Sequence, residues 1–385
     1  MTYKKKEKKE YCEIPFQQLA EMYSIPKYDK LVEGWFSLRR PLSYNRHLMT
    51  ITGKRTTGKS TNTSLYLLLD FLNNNRGTVY SRRTDDETQL TADSWFENAV
   101  DILNGYIPKE EHKIKVEYNG GKYFCNGKLM GYTIPLSLQH KYKSKNLSFC
   151  DWLVYDEFIA FEGTSYLGGA NNPMKEYHAL LSLRETMDRT IGKAHRDEVK
   201  IICLGNNETL FNPVYMAIGA DRFIRSDTHF LAPKGEEWLC MQLRPEDAVN
   251  AEDYKETVGY KLSDERTREY AYENKSKEES DSKHFIEKIT RPVRELCNLH
   301  FDGVKMIMAI DNSGGFVYVK HGHRDGLKDY ALTTLDHRPN YVLTLTGGSE
   351  GYLATLKTFY NAGAIRFETA RCKFCIDNFY KYVRQ

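Results

Sequence analysis

Residues 53–60 read GKRTTGKS, and the fold is decided by how this octapeptide is placed. Gly53 and Gly58 let the backbone come close to a ligand, the Lys59 ammonium is long enough to reach outer phosphates, and the Ser60 hydroxyl suits a magnesium ion. By pattern this is a Walker A loop, and its nucleotide-binding set is Gly53, Lys54, Arg55, Thr56, Thr57, Gly58, Lys59, Ser60 and Thr61. The flanks agree with the pattern. HLMTIT at 47–52 reads as a β-strand, and Leu65, Leu67, Leu68, Leu69, Phe71 and Leu72 form the apolar side of a helix that Gly77 would stop. Strand, glycine loop and helix follow in the order that phosphate binding needs.

Working outward, TVYSRR at 78–83 reads as the next strand. Thr84 with Glu87 three residues on forms a capping box for a helix carrying Trp95, Phe96, Val100, Ile102 and Leu103. Between Ile114 and Leu136 the pattern turns to alternation broken at Asn119-Gly120 and Asn126-Gly127, which favour type I′ turns, so an antiparallel meander is expected. Lys141, Lys143 and Lys145 follow. If extended they share one side, either as a solvated face or as a contact to a phosphate backbone.

A second constellation is DWLVYDEFIAFE at 151–162. An apolar strand ends in Asp156 and Glu157; beside a Walker A loop, Asp156 is placed to hold Mg2+ and Glu157 to orient and deprotonate the attacking water. The paired acids point to hydrolysis of ATP rather than transfer of its phosphate. A third strand, VKIICL at 199–204, ends at Gly205, Asn206 and Asn207, and Asn206 is the candidate sensor of the γ-phosphate, with a plain turn as the alternative. Between these strands a glycine-rich stretch, 163–172, leads to a helix opening at Pro173 and bringing up Arg189, Lys193 and Arg196. Arg189 is the candidate for an arginine lent to a neighbouring subunit's site; a basic helix end that suits the macrodipole is the alternative.

The 385 residues exceed one ordinary core, and 41% hydrophobic content supplies material for more than one. Fifty-five basic against 52 acidic residues leave a formal charge of only +3, which excludes a binder working by bulk charge and leaves room for local basic patches. The lysines among residues 4–9, interleaved with Glu7 and Glu10, read as a solubilising tail, with a DNA-contacting arm as the alternative. No apolar run approaches a membrane span and no signal-peptide core is present, so a cytosolic protein without a membrane partner is expected. Eight cysteines include one CxxC, Cys372 and Cys375, without a second pair, and these read as thiols. His321 and His323 invite a metal reading but read as loop residues.

The order GKRTTGKS, SRR, FCNGKLMGYTIPLSL, VYDEFI, CLGNNETLFNP resembles the DNA encapsidation ATPases of phi29-like phages, which are terminase-type packaging motors. LSYNR at 42–46, LTTLD at 332–336 and NAGAIRF at 361–367 extend the resemblance over most of the chain. It implies an α/β fold with a P-loop motor domain of the ASCE, RecA-like type over 1–245. Residues 246–285, highly charged and poor in aliphatics, suit an exposed helical linker or lid. The hairpin pattern of Val304 to Ile310, the Asn312 to Gly315 turn and Phe316 to Val319, with a terminal helix, suggests a smaller α+β domain over 286–385, which the resemblance makes RNase H-like and a vestigial nuclease. The resemblance also implies a pentameric ring that uses ATP and Mg2+ to drive double-stranded DNA through the portal into a prohead, in the host cytoplasm and transiently at the portal vertex, with a structural packaging RNA as a further candidate partner. Carried over by position, Lys59 and Ser60 bind phosphate and magnesium, Asp156 binds magnesium, Glu157 is the catalytic acid, Arg189 falls at the trans finger, and Arg46 or Tyr44 lies near the base. The chain is several residues longer before VKIICL, so Lys193 and Arg196 are also finger candidates. In the last hundred residues Asp311 stands at a strand end where a nuclease needs its first acid, whereas Asp336, Glu350 and Glu368 have no spacing that singles them out. Lys320, Arg324, Lys328, Arg338, Lys357, Arg366 and Arg371 are candidates for a DNA or prohead surface. Two alternatives to the motor stand beside it: a terminase with an active metal-dependent nuclease, and a nucleotide-dependent assembly switch.

Overall fold

The computed structural model describes residues 11–54, 57–161, 164–168, 174–189, 198–210, 212–220, 230–243, 253–272, 284–286, 289–343 and 351–383. Two compact units divide the chain, 1–208 with 212–214 and 226–275, and 276–385 with 209–211 and 215–225.

The first unit is built on a nine-stranded sheet. Its strands are β1 (Leu48–Gly53), β2 (Gly77–Ser81), β3 (Val116–Asn119), β4 (Lys122–Cys125), β5 (Lys128–Thr133), β6 (Cys150–Asp156), β7 (Lys200–Gly205), β8 (Phe230–Leu231) and β9 (Trp238–Leu243), in the spatial order β3-β4-β5-β2-β6-β7-β1-β9-β8. From β5 to β9 every neighbouring pair is parallel. Parallel strands are covered on both faces, which is why β1, β2 and β6 are buried almost throughout, small polar residues such as Thr50, Thr52, Thr78 and Ser81 included. Met49, Ile51, Val154, Ile202, Leu204 and Leu239 join Leu65 and Leu68 of the helix Lys59–Asn74 in one core.

Several local expectations shift. Asn75 rather than Gly77 ends the P-loop helix, taking a left-handed φ of 56° while its N–H donates to the Phe71 carbonyl at 2.9 Å. The capping box is present, but the helix it starts stops at Ala92, and a second helix, Glu97–Asn104, carries Val100, Ile102 and Leu103. Trp95 lies between the two and packs on Tyr80 with ring centroids 4.4 Å apart. The meander forms as β3-β4-β5 and extends the main sheet through the parallel pairing of β5 with β2. Its second turn has positive φ at Asn126 and Gly127 as expected, whereas its first is centred one residue later, on Gly120 and Gly121.

The second unit carries a six-stranded mixed sheet of β10 (Val293–Phe301), β11 (Val304–Asp311), β12 (Val317–His321), β13 (Lys328–Ala331), β14 (Val342–Leu343) and β15 (Ile365–Phe367), ordered β14-β13-β10-β11-β12-β15. The pairs β10–β11 and β11–β12 are antiparallel, while β10–β13, β13–β14 and β12–β15 are parallel. Helices Gly351–Asn361 and Ala370–Val383 supply Leu353, Leu356, Ile376 and Phe379 to its core. The unit is therefore α+β, as its residues suggest. Cys372 and Cys375 are both fully buried in that core, and the eight cysteines are all free thiols. No described helix is long and apolar enough to cross a membrane.

Candidate nucleotide-hydrolysis site

Gly58 takes φ 78° at the cap of the helix that begins at Lys59, and no side chain satisfies the cap. The first-turn amides of a 16-residue helix therefore point out of the loop, an arrangement suited to phosphate oxygens. A Cβ on Gly58 would meet Asn62 Nδ2 at 3.0 Å and Trp35 at 3.3 Å, and one on Gly53 would meet Leu243 Cβ at 2.8 Å, so both glycines are required by close approach. Lys59 is buried. Its ammonium donates to the carbonyls of Gly53 and Lys54, both at 2.8 Å, which holds the positive charge in the middle of the loop. Thr57 Oγ1 donates to the Lys54 carbonyl at 3.1 Å, while Ser60 is exposed at the start of the helix and Thr61 half-buried. Arg55 and Thr56 lie outside the described residues.

β7 lies between the P-loop strand β1 and the acidic strand β6, with Thr52 opposite Gly205 and Asp156 opposite Leu204. The residue leaving β7 therefore stands between the lysine and the carboxylates. Asn206 is that residue, and its Oδ1 accepts from Lys59 Nζ at 3.3 Å.

Asp156 is buried and is already braced. Arg82 donates to its Oδ2 from Nη2 at 2.8 Å and Nε at 3.3 Å, and the Tyr80 hydroxyl donates to the same oxygen at 3.1 Å. All three bonds land on one oxygen. Burial pulls the Arg82 pKa down, but Asp156 outweighs it, and the guanidinium is held above its ordinary value. Burial, with the Asp156 charge, drives the Tyr80 phenol upward, so it stays a donor. Glu157 follows at φ 57°, a left-handed conformation that costs a non-glycine residue about 1–3 kcal/mol and is typical of positions fixed for chemistry. Arg83 donates from Nη2 to the Glu157 carbonyl at 3.1 Å, and the Phe158 amide donates to the Leu204 carbonyl at 3.1 Å. Behind it, Arg83 Nε donates to Glu176 Oε2 at 2.9 Å, and the same carboxylate accepts from the Tyr155 hydroxyl and, at 2.9 Å, from the Leu167 amide. Glu176 is fully buried on the helix Met174–Asp188. The sequence reading missed this knot, because nothing local distinguishes Glu176 from a solvated helix glutamate.

The remaining candidates are more dispersed. Arg46 Nη2 donates to the Pro233 carbonyl at 3.2 Å, and Tyr44 packs on Phe230 at 4.7 Å, so both adjoin the edge of the sheet near β8 and not the phosphate loop itself. Arg189 is exposed just beyond its helix and donates to the Lys143 carbonyl at 3.4 Å. Lys193, Arg196 and the proposed helix start at Pro173 lie outside the described residues. Lys141, Lys143 and Lys145 do not form an extended face. Residues Leu136–Tyr142 coil into a 3-10 helix behind Pro135, and Lys145 stacks over the Tyr132 ring at 3.9 Å.

The model of the family described as Podovirus DNA encapsidation protein (Gp16) matches residues 32–384. The chain belongs to that encapsidation family. Among curated proteins it is 25% identical over 341 residues to the DNA packaging protein of Bacillus phage phi29, covering 87% of this chain and 93% of that one. It is 26% identical over 329 residues to the DNA packaging protein of Bacillus phage B103, covering 85% and 94%. Among solved structures it matches a chain of the bacteriophage Phi-29 viral genome packaging motor assembly with TM-score 0.69 and 23% identity, over 91% of this chain and 99% of that one. A chain of the Phi-28 gp11 DNA packaging motor matches with TM-score 0.57 and 17% identity, over 91% and 97%. The encapsidation-family fold thus extends through both units.

In the second unit of this encapsidation-family chain, Asp311 and the other acids weighed for a nuclease each engage their own surroundings among the described residues. Asp311 turns its carboxylate onto its own loop, accepting from Ser313 Oγ at 2.9 Å and the Gly315 amide at 2.8 Å. Asp336 accepts from the amides of Asp302 and Gly303 at 2.6 and 2.8 Å, and Glu368 from the His321 amide at 2.8 Å. Each organises a turn or strand end, and Glu350 lies outside the described residues. Several of the candidate basic residues are also engaged locally. Lys320 and Arg324 both pair with Glu295, Lys328 and Arg338 lie over Tyr330 and Tyr341, and Arg366 lies over Phe316 at 4.4 Å.

Proposed function

We propose that the chain is an ATP-hydrolysing motor that moves double-stranded viral DNA through a portal into a preformed prohead. The observation that carries this reading is the contact of Lys59 with Asn206 on the strand between the phosphate loop and the Asp156–Glu157 pair. An intervening strand of this kind is the arrangement of ASCE, RecA-like ATPases, in which the sensing residue reads the same phosphate that the lysine grips. The P-loop amides, Lys59 and Ser60 would hold ATP and magnesium, Asp156 would complete the metal's surroundings, and magnesium would supply neutralisation of charge on the phosphates. Glu157, set by its backbone at the end of β6, takes the proton of the attacking water. Arg189 is exposed, which is compatible with a ring in which each arginine serves the next site. The names of its relatives support DNA as the cargo; the prohead, the portal, the number of subunits and a packaging RNA belong to the same proposal. The antiparallel run β12-β11-β10 followed by the parallel strands β13 and β14 within the six-stranded sheet supports an RNase H-like reading of the second unit, and the local engagement of its acids favours a unit that handles nucleic acid without cutting it.

Two outcomes test this. Steady-state hydrolysis is expected to rise when long double-stranded DNA is added at low salt, and the apparent DNA affinity to fall steeply as salt increases, because grip on phosphates releases counterions. Hydrolysis indifferent to DNA would instead identify a nucleotide-dependent assembly switch. Second, Arg82 holds Asp156 with a charge-assisted bond worth about 1.5 kcal/mol or more. Arg82→Ala is therefore expected to lower the magnesium concentration that gives half-maximal hydrolysis roughly tenfold, read by titrating magnesium at fixed ATP. A loss of rate with no change in the magnesium requirement would show that Arg82 only positions the carboxylate.

A further inference from the structure

Over the β10–β13 pair in the interior of the second sheet, three side chains that the nucleotide site does not use converge on one point. His300 Nε2 lies 2.8 Å from Asp329 Oδ1, and His323 Nε2 lies 3.1 Å from the same oxygen. Among the described residues this is the group of histidines, cysteines and acids whose ligand atoms all lie within 4.8 Å of one another. They arrive from separate places: His300 from β10, Asp329 from the neighbouring parallel strand β13, and His323 from the turn that leads into β13.

We propose that His300, His323 and Asp329 form a site for a divalent transition-metal ion of the zinc class, which clamps the turn between β12 and β13 onto β10. Two imidazole nitrogens and one carboxylate oxygen are a zinc-type donor set, whereas magnesium or calcium would call for oxygens alone. The spacing fits as well. Ligands about 2.0 Å from a tetrahedral ion stand roughly 3.3 Å apart, so the two separations of 2.8 and 3.1 Å need to open by only a few tenths of an ångström. Three protein ligands leave the fourth position to water.

The surroundings hold these ligands in place as outer partners do in metal sites. Asn298, which faces Asp329 across the strand pair, donates to Asp329 Oδ1 at 3.1 Å and to the Arg324 carbonyl at 2.9 Å, and accepts from the Arg324 amide at 3.0 Å. Tyr341 stacks on His300 with ring centroids 4.4 Å apart. On the far side of its ring, His323 Nδ1 lies 3.4 Å from Asp325 Oδ1. Both nitrogens of His323 thus face carboxylates. A neutral imidazole donates from one nitrogen only, so the two contacts together are met by an imidazolium or by a metal on Nε2 with Nδ1–H directed at Asp325, and the proposed site takes the second form.

The test uses the full chain and the metal alone. Cobalt(II), then zinc chloride in competition, is titrated into wild type, His323→Ala, Asn298→Ala and the double variant Cys372→Ser/Cys375→Ser, each checked by circular dichroism. Wild type is expected to bind one equivalent with weak d–d absorption and no thiolate charge-transfer band, and the cysteine variant to bind equally. His323→Ala should lose that equivalent, and Asn298→Ala should bind about 10–100-fold more weakly. Equal binding by His323→Ala, no binding by wild type, or a thiolate band abolished in the cysteine variant would each overturn the proposal. Should His323→Ala fail to fold, X-ray absorption of zinc bound to wild type still decides the matter, since nitrogen and oxygen ligands are distinguished from sulfur.

Discussion

Glu157→Gln is expected to reduce the DNA-stimulated turnover by about 10²-fold or more, the usual contribution of a positioned general base, while the variant still binds ATP. Glutamine preserves the size and polarity of the side chain but takes no proton. The backbone that fixes residue 157 does not depend on its charge: Arg83 holds the carbonyl, and the next amide is tied to Leu204 across β7. The same substitution also tests the ring. Arg189→Ala alone should be severely impaired, because arginine fingers contribute about 10³–10⁵ in rate where they have been removed or supplied. Mixing the two inactive variants should restore part of the activity, since a Glu157→Gln subunit still lends Arg189 to a neighbour whose own Glu157 is intact. The readout is phosphate release from single and mixed variants at one total protein concentration. Full activity of Glu157→Gln would remove Glu157 from the chemistry. Full activity of Arg189→Ala would pass the trans role to Lys193 or Arg196.

The candidate nucleotide site is legible in sequence to the extent that its parts are local. GKRTTGKS declares itself because glycine, lysine and serine are needed at fixed offsets, and its strand and helix carry unmistakable periodicities. Asp156 and Glu157 were legible because a buried parallel strand cannot carry acids until it ends. Asn206 needed one further step, the knowledge that the following strand lies next to the acidic one. Arg82, Arg83 and Glu176 left no such mark. Their roles come from pairings across 74 to 93 positions, and a charged residue bound for the interior looks in sequence like one bound for solvent. The second unit was read less well for a different reason. β10, its longest strand, went unrecognised although Asp302-Gly303 with positive φ at both residues is a hairpin turn of the kind that marked the meander. His300 lies on that strand, and nothing local in the sequence shows that it meets His323 and Asp329. Asp311 drew notice as a strand-end acid, but a strand end followed by Asn-Ser-Gly-Gly is also where an aspartate caps its own turn.

Glu176→Leu is expected to destabilise the first unit by about 3–5 kcal/mol, the cost of leaving one member of a buried ion pair without its partner. Arg83 and Glu176 have side chains only 5% and 1% exposed, so water cannot replace the lost carboxylate. The Tyr155 hydroxyl and the Leu167 amide lose their acceptor in the same step. Both partners together are a different matter. Replacing a buried pair by apolar groups of similar volume is often neutral, so Arg83→Met/Glu176→Leu should regain much of the loss. All four tryptophans, Trp35, Trp95, Trp152 and Trp238, lie in the first unit, and their emission in a urea titration follows that unit alone. Activity should part company with stability in the double variant. Arg83 also holds the carbonyls of Glu157 and Phe158, at 3.1 and 3.4 Å, and methionine cannot. With the left-handed φ of Glu157 no longer enforced, turnover should stay low even where the urea midpoint recovers. Recovery of both together would mean that the buried pair serves the core only, and that the backbone of Glu157 is held by β7 without it.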